Sequence, residues 1–87
     1  MIDTLLFMKI SDTYMYRFMK KNQIYGTLFI NYGVTEKFVL APIESIDAVN
    51  KARREIGVTE TLEEYAKKNP LNVIPDRYYE MQKKRDE

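Results

Sequence analysis

The chain has 87 residues, a net charge of +1, 31% charged residues and 45% apolar ones, which suits one globular domain rather than two or a disordered tail. It has no Cys, His or Trp, which excludes disulfides, thiolate nucleophiles and the usual structural zinc sites, and removes the commonest general base. Apolar runs such as Leu5 to Met8 fall far short of the ~20 residues of a spanning helix, and the near-neutral charge does not itself call for a nucleic-acid partner.

The N-terminus carries Asp3 and no basic leader-like region, so no secretory signal is read and a cytoplasmic protein is expected. A domain of this length buries roughly 60–65% of its unfolded surface, so its core is modest. The fold expected over residues 1–81 is a single α+β domain: an antiparallel meander of about four strands (residues 2–41), then two or three short helices packed on one face. Residues 82–87 read as a polar, frayed tail.

In chain order, Ile2 to Ile10 is rich in bulky apolar groups. Read as a strand, it sets Ile2, Leu6, Met8 and Ile10 on one side and Leu5 and Phe7 on the other; read by length alone, it also suits a short buried helix. Ser11-Asp12-Thr13 reads as a turn. Tyr14 to Lys21 alternates, with Tyr14, Tyr16 and Phe18 opposite Met15, Arg17 and Met19, and its aromatics favour a strand. Lys21-Asn22-Gln23 reads as a hairpin turn. Ile24 to Asn31 is the third expected strand, with Gly26 marking a bulge or a close approach by another element. Asn31-Tyr32-Gly33 is the next turn, and Thr35 to Leu40 the fourth strand.

Pro42 ends the sheet. A helix is predicted from Ser45, a good N-cap, with Asp47 in its first turn; Ala48, Val49, Ala52 and Ile56 share one face and Gly57 stops it. A second helix is predicted from near Thr59 or Thr61, with Thr61 and Glu64 fitting a capping box and Val58, Leu62, Tyr65 and Ala66 as its apolar face. Asn69-Pro70 ends it. Leu71 to Ile74 is apolar and extended, suited to latch onto the core or to add an edge strand. Asp76 caps a last short helix anchored by Tyr78, Tyr79 and Met81.

The candidate site is the aromatic and basic face expected on the sheet: Tyr14, Arg17, Tyr25, Phe29, Tyr32 and Lys37, flanked by Met15 and Met19. These residue types are enriched at protein interfaces, so the reading is a small non-enzymatic protein-binding module, of the kind of a phage or mobile-element inhibitor or adaptor. Its partner is another protein or a second copy. The same face suits single-stranded nucleic acid, with rings stacking on bases and Arg or Lys meeting phosphates. It equally suits plain core under a helix. The segment Ala52 to Asn69 (ARREIGVTETLEEYAKKN) resembles a helix-turn-helix. Arg53, however, stands where a small residue belongs, and Glu60, Glu63 and Glu64 would repel phosphate. An ordinary αα-hairpin accounts for it as well. No carboxylate pair, Walker loop or calcium loop is present; no catalysis, cofactor, metal or membrane contact is expected.

Overall fold

The computed structural model describes residues 3–31, 33 and 35–86, with side chains described as far as Met81. It is an α+β chain: a long N-terminal helix, a small mixed sheet and short helices. The expected four-strand antiparallel meander is not what forms.

The largest departure is at the start. Thr4–Arg17 is one helix, α1, where two strands and a turn were expected. Asp3 is its N-cap, and Asp3 Oδ1 accepts a hydrogen bond from the Leu5 N–H at 2.9 Å, satisfying one of the donors a helix start leaves free. Two side chains four residues apart, Met8 and Asp12, point inward and are buried. The residues read as a turn, Ser11-Asp12-Thr13, thus sit mid-helix, because Asp12 bonds to a distant loop rather than to its own neighbours. At the far end Lys20 takes φ 56° and reverses the chain, with the Lys21 N–H donating to the Met15 carbonyl at 2.9 Å.

A well-fastened loop follows. The Gln23 side chain is buried, donates to the carbonyls of Leu28 and Ala41 at 3.1 and 2.8 Å, and accepts from the Leu28 N–H at 2.9 Å. It acts as a side-chain stand-in for a strand partner. The Gln23 N–H donates to the Pro42 carbonyl at 3.0 Å, in an isolated parallel bridge to Ile43. The expected third and fourth strands shrink to β1 (Phe29–Ile30) and β2 (Phe38–Leu40), paired antiparallel with Phe29 opposite Leu40.

The C-terminal half follows its sequence signals closely. Ser45 caps α2 (Ile46–Glu55), accepting from the Ala48 N–H at 3.0 Å, and Gly57 beyond it takes φ 83°. Ile46, Val49 and Arg53 are the inward residues of α2, so the buried stripe is rotated from the one predicted and includes a cation. Thr61 and Glu64 make the capping box of α3 (Leu62–Lys67). The Asn50 carboxamide of α2 also accepts from the Leu62 N–H at 2.8 Å. The extended Leu71–Ile74 segment yields β3 (Asn72–Val73), parallel to β2, so the order β1-β2-β3 makes a mixed sheet. The α2–α3 pair supplies the crossover that parallel neighbours require. Finally α4 spans Asp76–Asp86; the tail expected at 82–87 lies outside the described side chains.

The core is Leu40, Ile43, Ile46, Val49, Leu62 and Tyr78, with Phe29 and Ile74 packed on it. The buried Tyr78 hydroxyl accepts from the Ile43 N–H at 3.3 Å, which ties α4 to the end of the sheet.

Candidate functional site

The position of α1 is set by one buried anion. Asp12 is 0% exposed. Its Oδ1 accepts from the N–H groups of Ile24 and Tyr25 at 2.8 and 2.7 Å; its Oδ2 accepts from the Thr27 N–H at 2.9 Å and the Thr27 hydroxyl at 2.6 Å. A buried carboxylate is costly unless its lone pairs are used, and here donors converge on both oxygens. The loop is gripped from its other side by a buried cation. Arg53 Nε of α2 donates to the Tyr25 carbonyl at 2.8 Å, and Nη1 donates to the Glu60 carbonyl at 3.1 Å. The Arg53 guanidinium carbon lies 5.0 Å from the Tyr65 ring centroid, a cation–π contact, and Arg53 Nη2 is buried without a hydrogen-bond partner among the described residues. Burial lowers the Arg53 pKa, and Glu60, Tyr65 and Asp12 oppose that shift.

Residues 23–27 therefore hang between an anion on α1 and a cation on α2. Gly26 makes this possible. It adopts φ 71°, and a Cβ there would meet Leu62 Cδ1 at 2.7 Å and Val49 Cγ1 at 3.1 Å. Only a residue without a side chain reaches that conformation so close to α2 and α3.

The clamp fixes which way α1 faces. At about 100° per residue, Ile10 is directed away from both Met8 and Asp12. Leu6, Ile10, Tyr14 and Phe18 recur every four residues, and they are 53%, 60%, 53% and 74% exposed. Among the described residues no other helix or strand packs extensively on α1. Tyr14 and Phe18 stack on each other, with centroids 5.8 Å apart, and Phe7 tilts against Tyr25 at 5.9 Å. Arg17 is exposed on the same outward side as Tyr14. Beyond it the helix end opens on a cleft of ≈ 530 Å³ whose lining includes Arg17, Lys20 and Lys21, cations that suit the negative end of the helix dipole.

The six sequence-predicted site residues do not form one sheet face. Tyr14 and Arg17 come together, but on α1. Tyr25 lies half-buried in the clamped loop, and its pKa is raised by burial first, then by Asp12 and Glu55. Phe29 on β1 is half-buried against the core, its ring 6.3 Å from that of Tyr65. Lys37 is exposed just before β2. Tyr32 lies outside the described residues. The strands are too short, and too closely backed by the core, to offer the broad open face expected. The exposed row of α1 also holds Leu6, Ile10 and Phe18, which the sequence reading did not include and whose signal is their four-residue spacing.

The helix-turn-helix-like segment is an αα-hairpin in which Arg53, Leu62 and Ala66 are buried and Lys68 pairs with Glu60 at 2.9 Å. Among the described residues no group of three or more His, Cys, Asp or Glu stands where it could hold a metal ion, and no helix is long and apolar enough to cross a membrane. Compared with known proteins, the chain matches no family model, no curated protein and no solved structure.

Proposed function

We propose that this chain is a small non-enzymatic protein-binding module, of inhibitor or adaptor type, that makes its contact through the outward face of α1. The observation that carries this reading is the uncovered apolar stripe Leu6, Ile10, Tyr14 and Phe18, each more than half exposed. Scattered surface apolar residues are ordinary; a contiguous row on one helix face marks an interaction surface. Tyr14 and Phe18 supply rigid contact area at little entropic cost, and Arg17 supplies orientation at the rim. The amphipathic-helix mode of recognition fits this anatomy.

A tagged pull-down from nuclease-treated host lysate tests the proposal, comparing the native chain with Ile10→Glu. Helical circular dichroism confirms that the variant folds. A protein retained by the native chain and lost with Ile10→Glu is the expected result; identical retained sets, together with no self-association that Ile10→Glu weakens, would refute it.

The cleft bearing Arg17, Lys20 and Lys21 favours a second reading, nucleic-acid binding at the C-terminal end of α1. Three phosphate contacts on a single strand would give a log–log salt slope of roughly −2.1. Binding to a single-stranded oligonucleotide that Lys20→Ala and Lys21→Ala leave unchanged would remove that reading.

A further inference from the structure

The outward face of α1 has a pattern along its length as well as an apolar middle. From N- to C-terminus it runs Asp3, Leu6, Ile10, Tyr14, Arg17, in steps of three, four, four and three residues. At about 100° per residue Leu6, Ile10, Tyr14 and Arg17 lie within about 80° of one another around the helix, opposite Met8 and Asp12, with Asp3 at the start of the row as the N-cap. The average step of about 3.5 residues is that of a helix–helix seam with a shallow crossing near 20°.

The row is symmetric about Ile10. Turned end for end, it sets Ile10 on Ile10, Leu6 on Tyr14 and Asp3 on Arg17. An anion at one end and a cation at the other make the face its own electrostatic complement when two copies run antiparallel. A parallel pair would instead oppose Asp3 to Asp3 and Arg17 to Arg17. Self-complementarity of one patch is what a two-fold interface demands. The Asp3 carboxylate caps the helix through Oδ1, but a carboxylate has about four acceptor sites, so capping does not use it up. Arg17 makes no ion pair among the described residues.

We propose that two copies of this chain pair through their α1 helices, antiparallel about a two-fold axis at Ile10. The inference rests on the reading of α1 as the contact face and names the partner for it. Aromatic side chains bury about 150–250 Å² each. The exposed fractions of Leu6, Ile10, Tyr14 and Phe18 therefore amount to roughly 400–500 Å² per copy before Phe7, Asp3 and Arg17 are added. Fully covered on both copies, the four side chains come to roughly 800–1,000 Å², and Phe7, Asp3 and Arg17 bring the pair towards the ~1,000–1,200 Å² at which a specific interface begins. That size suits a reversible dimer rather than an obligate one.

The absence of cysteine makes the geometry directly testable in the full chain. Sedimentation should show a concentration-dependent monomer–dimer equilibrium in the micromolar range, weakened at least about tenfold by Ile10→Glu, which sets two like charges together on the axis. Ile10→Cys should form a disulfide-linked dimer on mild oxidation, because a disulfide requires Cα atoms within about 7 Å. In a mixture of Leu6→Cys and Tyr14→Cys chains, the mixed disulfide should exceed either homodimer; an excess of homodimers would overturn the antiparallel arrangement. Asp3→Asn, which keeps a capping oxygen, and Arg17→Gln should each weaken the dimer several-fold, and the double variant should be no weaker than either single one. Additive losses would remove the Asp3–Arg17 pairing. A monomer throughout the micromolar range overturns the proposal. If such a monomer still loses a captured protein through Ile10→Glu, the contact-face reading stands while self-pairing fails; if it loses nothing, both fail.

Discussion

Replacing Asp12 by Asn is the sharpest probe of how this chain is held together. The substitution keeps shape and one oxygen. Oriented to serve Ile24 and Tyr25, that oxygen still accepts from N–H groups at 2.8 and 2.7 Å. The new amide then faces the Thr27 N–H, whose oxygen partner stood at 2.9 Å, so donor meets donor. The Thr27 hydroxyl, 2.6 Å from the same atom, can rotate and accept. A buried N–H left without a partner costs about 1–3 kcal/mol. The two surviving bonds lose a charged acceptor, at about 1 kcal/mol each. Relief of the buried charge offsets part of this, and the net expected loss is about 2–4 kcal/mol. A chain of this length is stable by roughly 4–13 kcal/mol, so Asp12→Asn should fold with much reduced stability. Asp12→Ala, which orphans all the donors, should not persist as a folded chain. Urea denaturation followed by helical circular dichroism gives the free energy. Amide exchange gives the location: protection should fall most at Thr27 and less at Ile24 and Tyr25. A loss below about 1 kcal/mol, or unchanged protection at the three amides, would show that Asp12 does not anchor the loop.

Gly26→Ala should cost about 2–4 kcal/mol in the same urea titration, combining the left-handed backbone penalty with a Cβ at 2.7 Å from Leu62 Cδ1. Lys20→Gly should raise stability by up to about 1 kcal/mol, because Lys20 sits at φ 56°, where a Cβ costs about 1–2 kcal/mol and glycine's extra chain entropy returns only part of that; a loss instead would mean that the Lys20 side chain itself holds the turn. Tyr25, Tyr65 and Tyr79 all have pKa values raised, first by burial. Their protonated forms are favoured in the fold, so their contribution is fully present below about pH 10 and is lost as pH rises through the higher folded values. Denaturation midpoints should stay level with respect to these groups up to that pH and fall beyond it, with a smaller fall in Tyr65→Phe; tyrosinate absorbance tracks the ionisation.

What could be read from the sequence divides at about Ala41. Beyond it, the structural signals are local: Ser45 bonds three residues ahead, Thr61 and Glu64 bond each other, and Gly57 turns the chain where it stands. Chemistry that spans three or four residues is visible in a window of that size. Before Ala41 the deciding bonds are long-range. Asp12 meets partners 12 to 15 residues away, and Gln23 reaches Ala41 across 18. Without those partners, Ser11-Asp12-Thr13 resembles a turn, and the aromatics after it favour a strand. The helical period of α1 was also masked, since apolar groups occupy both its inward and outward sides. The two-residue alternation of Tyr14, Tyr16 and Phe18 fits a strand, while the four-residue steps from Leu6 to Phe18 fit a helix; tertiary bonds decide between them. The same ambiguity scattered the candidate site. Tyr14 and Arg17 were singled out for their chemistry but assigned to the wrong element, and Phe29 was an interface residue in type but packs on the core in place.

The other helices supply an internal comparison for the face of α1. The outward positions of α2 carry Lys51, Arg54 and Glu55, and those of α3 carry Glu64 and Lys67, all exposed. There the chain follows the ordinary rule of polar residues toward water. On α1 it does the reverse: Leu6, Ile10, Tyr14 and Phe18 are each more than half exposed, where polar residues would suit a helix in solvent. The buried anchors of α1, Met8 and Asp12, lie on the opposite side from this row. Folding therefore leaves the composition of this face unexplained, and the cost of exposing it makes sense if something covers it. The clamp adds to this argument: by tying α1 through hydrogen bonds whose directions leave little rotational freedom, it presents the row from Leu6 to Phe18 in one fixed orientation. Loosening the clamp by Asp12→Asn should thus weaken whatever contact α1 makes before the chain unfolds, coupling the buried polar centre to the exposed apolar face.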